Sequence, residues 1–359
     1  MRRSGIATVA VAATTVAVVV SIFALGEERS EGFTPFPPSD YTPYQHAGPR
    51  RGPLIGTNYA HTAFRDCSWD GTAILATYHE DGARETVHEQ LASMRANGVE
   101  SLRMIIWHMT DPGPNKWGPI PSARGDLADP YRTNLAELAG DVRRYGFQRL
   151  TVAMGPQWTN NPIERQYNAR KLDENWRFLE NVRSVVKQFG PADTRIDLIN
   201  EGASSDYLPT KIARNIRAYA TEMYRRYVER FGKRDVTVSS IAPRTRHDRG
   251  NRLQNLIDIF DSTGQGQPRW FEIHLNYGPR EAAYGLRNSL DVLTRNGFSQ
   301  PIVIGEITYD DAGVARALAG VIRTTGRVDE IIQWPLNQSR SRCNVSPPYR
   351  AGAYALLTR

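Results

Sequence analysis

The chain of 359 residues contains only two cysteines, Cys67 and Cys343. No Cys/His cluster has the spacing of a zinc site, so zinc-finger and zinc-ribbon classes drop out. Lysine is nearly as scarce. It occurs at Lys116, Lys171, Lys187, Lys211 and Lys233, and arginine supplies the rest of the 45 positive charges. The arginines are scattered, and no basic run is interleaved with aromatics, which argues against a nucleic-acid surface despite the net charge of +7. There is no internal repeat. The first apolar run ends in Ile55-Gly56-Thr57-Asn58, which is not the glycine-rich turn that would cradle a phosphate. An open nucleotide-binding sheet therefore lacks its main support, and no cofactor is expected.

One long apolar run is present, at the N-terminus. Arg2 and Arg3 precede an uncharged stretch from Gly5 to Gly26, and Ala24-Leu25-Gly26 stands before Glu27. This pattern fits a signal peptide with a small-x-small cleavage site. Its length also suits a membrane span of about 20 residues. Residues 1–26 are read as a signal peptide or membrane anchor. Either one places the rest of the chain outside the cytoplasm, secreted or anchored to the outer face of the membrane. Residues 27–52, with Thr34-Pro35-Phe36-Pro37-Pro38-Ser39, read as a Pro-rich linker.

From Pro53 to Arg359 apolar strand-like runs alternate with amphipathic helical ones. Strands are expected at 54–58, 101–107, 149–154, 195–200, 236–241, 270–275, 302–305 and 330–334. Helices are expected at 84–96, 134–145, 173–189, 211–231, 252–261, 281–295 and 312–323, with a last one over 349–357. Gly98, Gly146, Gly232 and Gly297 follow four of these helices, a common stop signal. Strands separated by helices pair in parallel through right-handed crossovers. Eight such units in about 300 residues match an α/β fold, a (β/α)8 TIM barrel.

Chemistry in such a barrel sits at the C-terminal ends of the strands. Strand one ends at Asn58-Tyr59, with His61 beyond. Strand two carries Arg103 and ends at Trp107-His108, and strand three leads to Gln157-Trp158. Strand four closes on Asp197-Leu198-Ile199-Asn200-Glu201. Strand six has His274, then Asn276-Tyr277; strand seven runs into Glu306; strand eight ends at Gln333-Trp334. A carboxylate at such an end is costly to bury without a partner, so it is read as facing the cleft. Two facing carboxylates are the equipment that cleaves a glycosidic bond. The surrounding tryptophans and hydrogen-bonding groups suit the apolar faces and hydroxyls of a sugar.

These residues, in this strand order, resemble the clan A glycoside hydrolases, the retaining barrel enzymes that include family 5 cellulase-like and family 39-like members. The resemblance spans residues 53–359. It implies Glu201 as the acid/base after Asn200, Glu306 as the nucleophile, and Arg103 as its support. It also implies His274 and Tyr277 beside the pair, and Trp334 beneath the sugar. Asn58 and Trp158 join the expected substrate-binding set. Two departures blur the family: Gly202 stands where the clan commonly has proline, and Gln157 or Trp158 stands where a strand-three histidine is common.

The implied reaction is double displacement on an extracellular or cell-wall oligosaccharide or polysaccharide. A transglycosylase and a non-catalytic carbohydrate-binding barrel are the alternatives. A metal-dependent hydrolase using His61, His108 and Glu201 is disfavoured, because no His-x-His motif supports it.

In an oxidising compartment Cys67 and Cys343 are expected to pair, because the loops after strands one and eight meet where the barrel closes. Mass spectrometry of a non-reduced digest of exported protein should recover the Cys67–Cys343 cross-link. Two free thiols would refute the pairing.

Overall fold

The computed structural model describes residues 52–59, 73–113, 119–164, 167–202, 210–246, 252–334 and 350–358. The N-terminal apolar run, almost all of the linker, His61, Cys67 and Cys343 lie outside the described residues, and with them the expected disulfide. Among the described residues no helix is long and apolar enough to cross a membrane.

Eight strand positions ring the barrel. They are β1 (Leu54–Asn58), β2 (Ser101–Met109), β3 (Arg149–Pro156), β4 (Asp193–Asp197), an interrupted β5 (Val236–Thr237 and Ser239–Ile241), β6 (Phe271–Leu275), β7 (Ile302–Thr308) and β8 (Val328–Trp334). Seven helices alternate with them: α1 (Ala83–Ala96), α2 (Tyr131–Arg144), α3 (Ala169–Phe189), α4 (Thr210–Phe231), α5 (Arg252–Ser262), α6 (Pro279–Arg295) and α7 (Ala312–Thr325). The expected final helix is a 3-10 turn, Gly352–Leu357. A helical stretch at Ala73–Thr77 and a two-residue strand at Ile120–Pro121 were not legible in the pattern.

All strand pairings are parallel, in ring order. One side closes through β1 and β8, with Leu54 opposite Glu330 and Thr57 opposite Gln333. The other closes through β5, whose first piece pairs with β4 and whose second pairs with β6. The fold is therefore a (β/α)8 barrel. Its strands are buried on both faces, so they read as near-continuous apolar runs. The expected glycine stops hold: Gly98, Gly146, Gly232 and Gly297 all have positive φ, between 75° and 80°.

The break in β5 has a local cause. β4 ends at Asp197 and turns away, so its backbone does not continue alongside Ser239. The Asp197 carboxylate substitutes, accepting the Ser239 N–H at 3.0 Å. The sequence pattern had extended this strand to Asn200; the structure gives 198–202 to the turn that carries the site.

The opposite end of the barrel is tied by charge. Arg149, at the start of β3, donates to Asp193 (2.7 Å), Asp329 (2.8 Å) and the fully buried Glu330 (2.7 Å). Arg195 adds a contact to Asp329 at 3.2 Å and lies over the Trp270 ring. Removing one partner of a buried pair strands the other charge. Arg149→Ala should lower unfolding stability by about 3 kcal/mol, read as a lower urea midpoint with an unchanged slope.

Candidate active site

Residues from four strands converge on a guanidinium carried by a fifth. Arg103, in β2, is fully buried. Its Nε donates to Glu272 Oε1 (2.8 Å) and its Nη1 to Asn58 Oδ1 (3.2 Å) and Glu306 Oε1 (3.3 Å). Its Nη2 donates to Asp197 Oδ2 (3.0 Å) and Asn200 Oδ1 (2.8 Å). Burial alone would weaken its charge, but Glu272, Glu306 and Asp197 outweigh that and raise its pKa.

Glu306 sits within β7 rather than just past it, and a bulge phases it. Ile273 faces Ile304 but His274 faces Glu306, so β7 carries one extra residue, Gly305. Bulges re-aim side chains near active sites. A Cβ on Gly305 would lie 2.2 Å from Glu272 Oε1, so glycine there leaves the Glu272 carboxylate its place. Asn276 donates to Glu306 Oε2 at 2.9 Å.

Glu201 stands on the turn after β4 with φ of 55°, a left-handed conformation that costs a non-glycine residue about 1–3 kcal/mol. Its N–H donates to Ser239 Oγ at 2.8 Å, and Asn200 N–H donates to the Met154 carbonyl of β3 at 2.9 Å. These bonds hold the strained residue. The turn also explains Gly202. A Cβ there would meet Ile199 Cγ2 at 2.0 Å, so proline does not fit this backbone.

The two glutamates differ in exposure. The Glu201 side chain is 36% exposed and that of Glu306 6%. Ligand-type atoms of Glu201, His274 and Glu306 lie within 4.8 Å of one another. His274 Nδ1 joins the pair, 3.0 Å from Glu201 Oε1 and 3.5 Å from Glu306 Oε1, while its Nε2 faces Glu272 Oε1 at 3.7 Å. Burial disfavours its charge, but Glu306, Glu201 and Glu272 more than offset it, so its pKa is pushed up to about 10. Among the described residues, these three are a group whose donor atoms are close enough to hold a cation.

The other expected residues divide. Asn58 is buried and spends its amide on the Gly305 (3.1 Å) and Gln333 (3.3 Å) carbonyls, so it positions Arg103 from below the cleft. Tyr277 donates its hydroxyl to the Ala242 carbonyl at 2.9 Å, and the contact to Glu306 comes from Asn276 instead. Trp334 closes β8, half-buried. Trp158 has φ of 48° and is 67% exposed at the rim after β3. His108 is buried, shares a hydrogen bond with Ser122 at 3.0 Å and stacks on Phe178; burial lowers its pKa to about 3.

Glu272 and Asp197 were not singled out as site residues. A clue existed: an arginine inside a barrel strand needs counter-charges, and Glu272 shares His274's face by the period of two. Both carboxylates are fully buried. Burial and the neighbouring Glu272 push Asp197 up to about 7. Glu272 moves down: burial opposes this, but Arg103 and His274 prevail.

The barrel is similar to the β-1,4-mannanase of the common sea hare Aplysia kurodai, at 16% identity over 87% of this chain and 94% of that one, with a TM-score of 0.51. Also matched are exo-β-1,4-mannosidase Op5Man5 from Opitutaceae bacterium strain TAV5 (14% identity, 81% and 53% covered, TM-score 0.48) and the homocysteine methyltransferase MmuM of Escherichia coli (11%, 81% and 93%, 0.49). No protein-family model matches the chain, and no curated protein does. The likeness to the mannanase shows the fold; one barrel supports many chemistries, so function rests on the site.

The raised pKa of His274 means that the folded state favours its charged form. That stabilisation is fully present below about pH 6.5 and is lost as pH rises toward 10. Asp197, also raised, contributes in the same direction, with its share fading between about pH 4 and 7. The urea midpoint should therefore fall from pH 6.5 to 10, and His274→Gln should flatten that fall. An unchanged slope in the variant would clear His274 of the effect.

Proposed function

We propose that this chain is a retaining glycoside hydrolase of the clan A type. The carrying observation is the pair Glu201 and Glu306, close together at strand ends and bridged by His274. Retaining enzymes hold their carboxyls about 5–5.5 Å apart, whereas inverting ones leave room for a water at about 6.5–9.5 Å. One oxygen of Glu201 lies within 4.8 Å of one of Glu306, so the two carboxyls face each other, as double displacement requires.

Glu306, buried and held by Arg103 and Asn276, attacks the anomeric carbon. Glu201, the more exposed carboxyl, protonates the departing oxygen as the glycosidic bond breaks. His274 Nδ1 meets Oε1 of Glu201 at 3.0 Å and orients this carboxyl. Water then attacks the glycosyl-enzyme, Glu201 takes its proton, and Glu306 is released with the anomeric configuration retained. Asn200 accepts from Arg103 through Oδ1, so its Nδ2 is available to the sugar 2-hydroxyl, a contact that strengthens in the transition state. Trp334 would lie beneath the sugar ring.

The substrate is an oligosaccharide or polysaccharide outside the cytoplasm, consistent with the N-terminal sequence pattern. β-1,4-Mannan is the first polymer to assay, given the sea hare enzyme. Transfer to an acceptor sugar uses the same glycosyl-enzyme, so a transglycosylase is the second reading.

Glu201→Ala should lower turnover by about 10²–10⁴-fold, and Glu306→Ala by at least as much, with circular dichroism unchanged. Azide should rescue Glu306→Ala by giving a glycosyl azide of inverted configuration. Near-normal turnover in either variant would overturn the assignment.

A further inference from the structure

A pocket of about 280 Å³ opens beside Glu201. It touches Asn200 and Glu201 but not Glu306, His274 or Trp334. If Glu201 protonates the leaving oxygen, this is the side from which the leaving group departs.

Part of its wall is apolar. Ile163 comes from the loop after β3, Ile199 from the turn after β4, Ile216 from α4 and Ile241 from β5, with Trp107 and Pro162 beside them. Four isoleucines from four elements thus converge next to the acid. Among the described residues, apart from Asn200 and Glu201, Gln157 and Asn161 are the polar side chains in the lining, and no other charged group lines it. A pyranose carries hydroxyls around its rim, and one turned toward the isoleucines would be buried without a partner, which is costly. An alkyl or aryl group has no such cost and gains from leaving water.

The apolar character continues outward. Ile163 is 42% exposed and Trp158, adjoining Gln157, is 67% exposed, two of the three large hydrophobic side chains exposed among the described residues. The loop that carries them is held from below. Asn160, fully buried, accepts from Thr110 N–H at 3.0 Å and donates to Glu174 (3.1 Å) and Asn175 (2.8 Å). Trp107 lies against Gly155, where a Cβ would fall 2.2 Å from its ring. The pocket is thus preformed, with an apolar lip.

We infer that the leaving-group site beside Glu201 accepts an apolar aglycone, an alkyl or aryl group, as well as a sugar. The inference rests on the proposed role of Glu201 and extends the substrate range to glycosides of hydrophobic alcohols or phenols.

The test separates the two readings by using ligands with and without a sugar. Binding of 1-alkanols from propanol to heptanol to the full chain is followed by saturation-transfer NMR and calorimetry. Methyl to heptyl β-D-glucosides and β-D-mannosides are then assayed for hydrolysis. Affinity for the alcohols should tighten by about two- to fourfold for each methylene buried. In Ile163→Ser, at a partly exposed position, and in Ile241→Ser, the heptanol-to-propanol ratio should shrink several-fold. Absence of heptanol binding, or a ratio untouched in both folded variants, overturns the apolar site even where glycosides are hydrolysed. A chain-length gradient abolished by these variants, with no glycoside turned over, keeps the pocket assignment and removes the glycosidase reading instead.

Discussion

The site depends on one buried cation. Arg103 lies inside the barrel without access to water, and an unpaired guanidinium there would be prohibitive. Its five hydrogen bonds therefore act as constraints. They tie Asn58 of β1, Asp197 and Asn200 at β4, Glu272 of β6 and Glu306 of β7 to a single rigid fork. The proposed nucleophile and the proposed 2-hydroxyl ligand are thereby placed by the same group.

Around that fork the charges are arranged rather than merely balanced. Arg103 and His274 are cationic, and four carboxyl groups face them. Asp197 and Glu272 are deepest and move in opposite directions, the first toward its neutral form and the second toward its charged form. Asp197 also carries a backbone duty, because its carboxylate accepts the Ser239 N–H where β5 loses its ladder partner. Fold and site therefore share a carboxylate: Oδ1 of Asp197 accepts the Ser239 N–H where β5 is interrupted, and Oδ2 holds Arg103.

Local irregularities do the aiming. The Gly305 bulge sets Glu306 opposite His274, and the strained turn at Glu201 lifts that carboxyl into solvent while Glu306 stays buried. This difference in exposure suits an acid that meets a departing group and a nucleophile that meets a single carbon. Gly202 belongs to the same turn, so its departure from the proline common in clan A follows from the backbone.

The alternation of strand and helix, the barrel class and the residues at strand ends were legible in the chain, since burial on both strand faces and amphipathic helices leave a periodic trace. Glu201, Glu306, Arg103 and His274 could be picked out because charged or polar groups at those ends have few structural uses. The early end of β4, the two-piece β5 and the bulge at Gly305 left no trace, because they arise from how neighbouring strands meet. The roles of Asp197, Glu272 and Asn276, and the support duty of Asn58, were hidden for the same reason: each depends on a partner distant in the chain, as much as 275 residues away for Asn58. Sequence determined which groups would stand at the barrel's mouth; tertiary structure decided which of them touch, because only closure of the ring brings β1, β2, β4, β6 and β7 around one guanidinium.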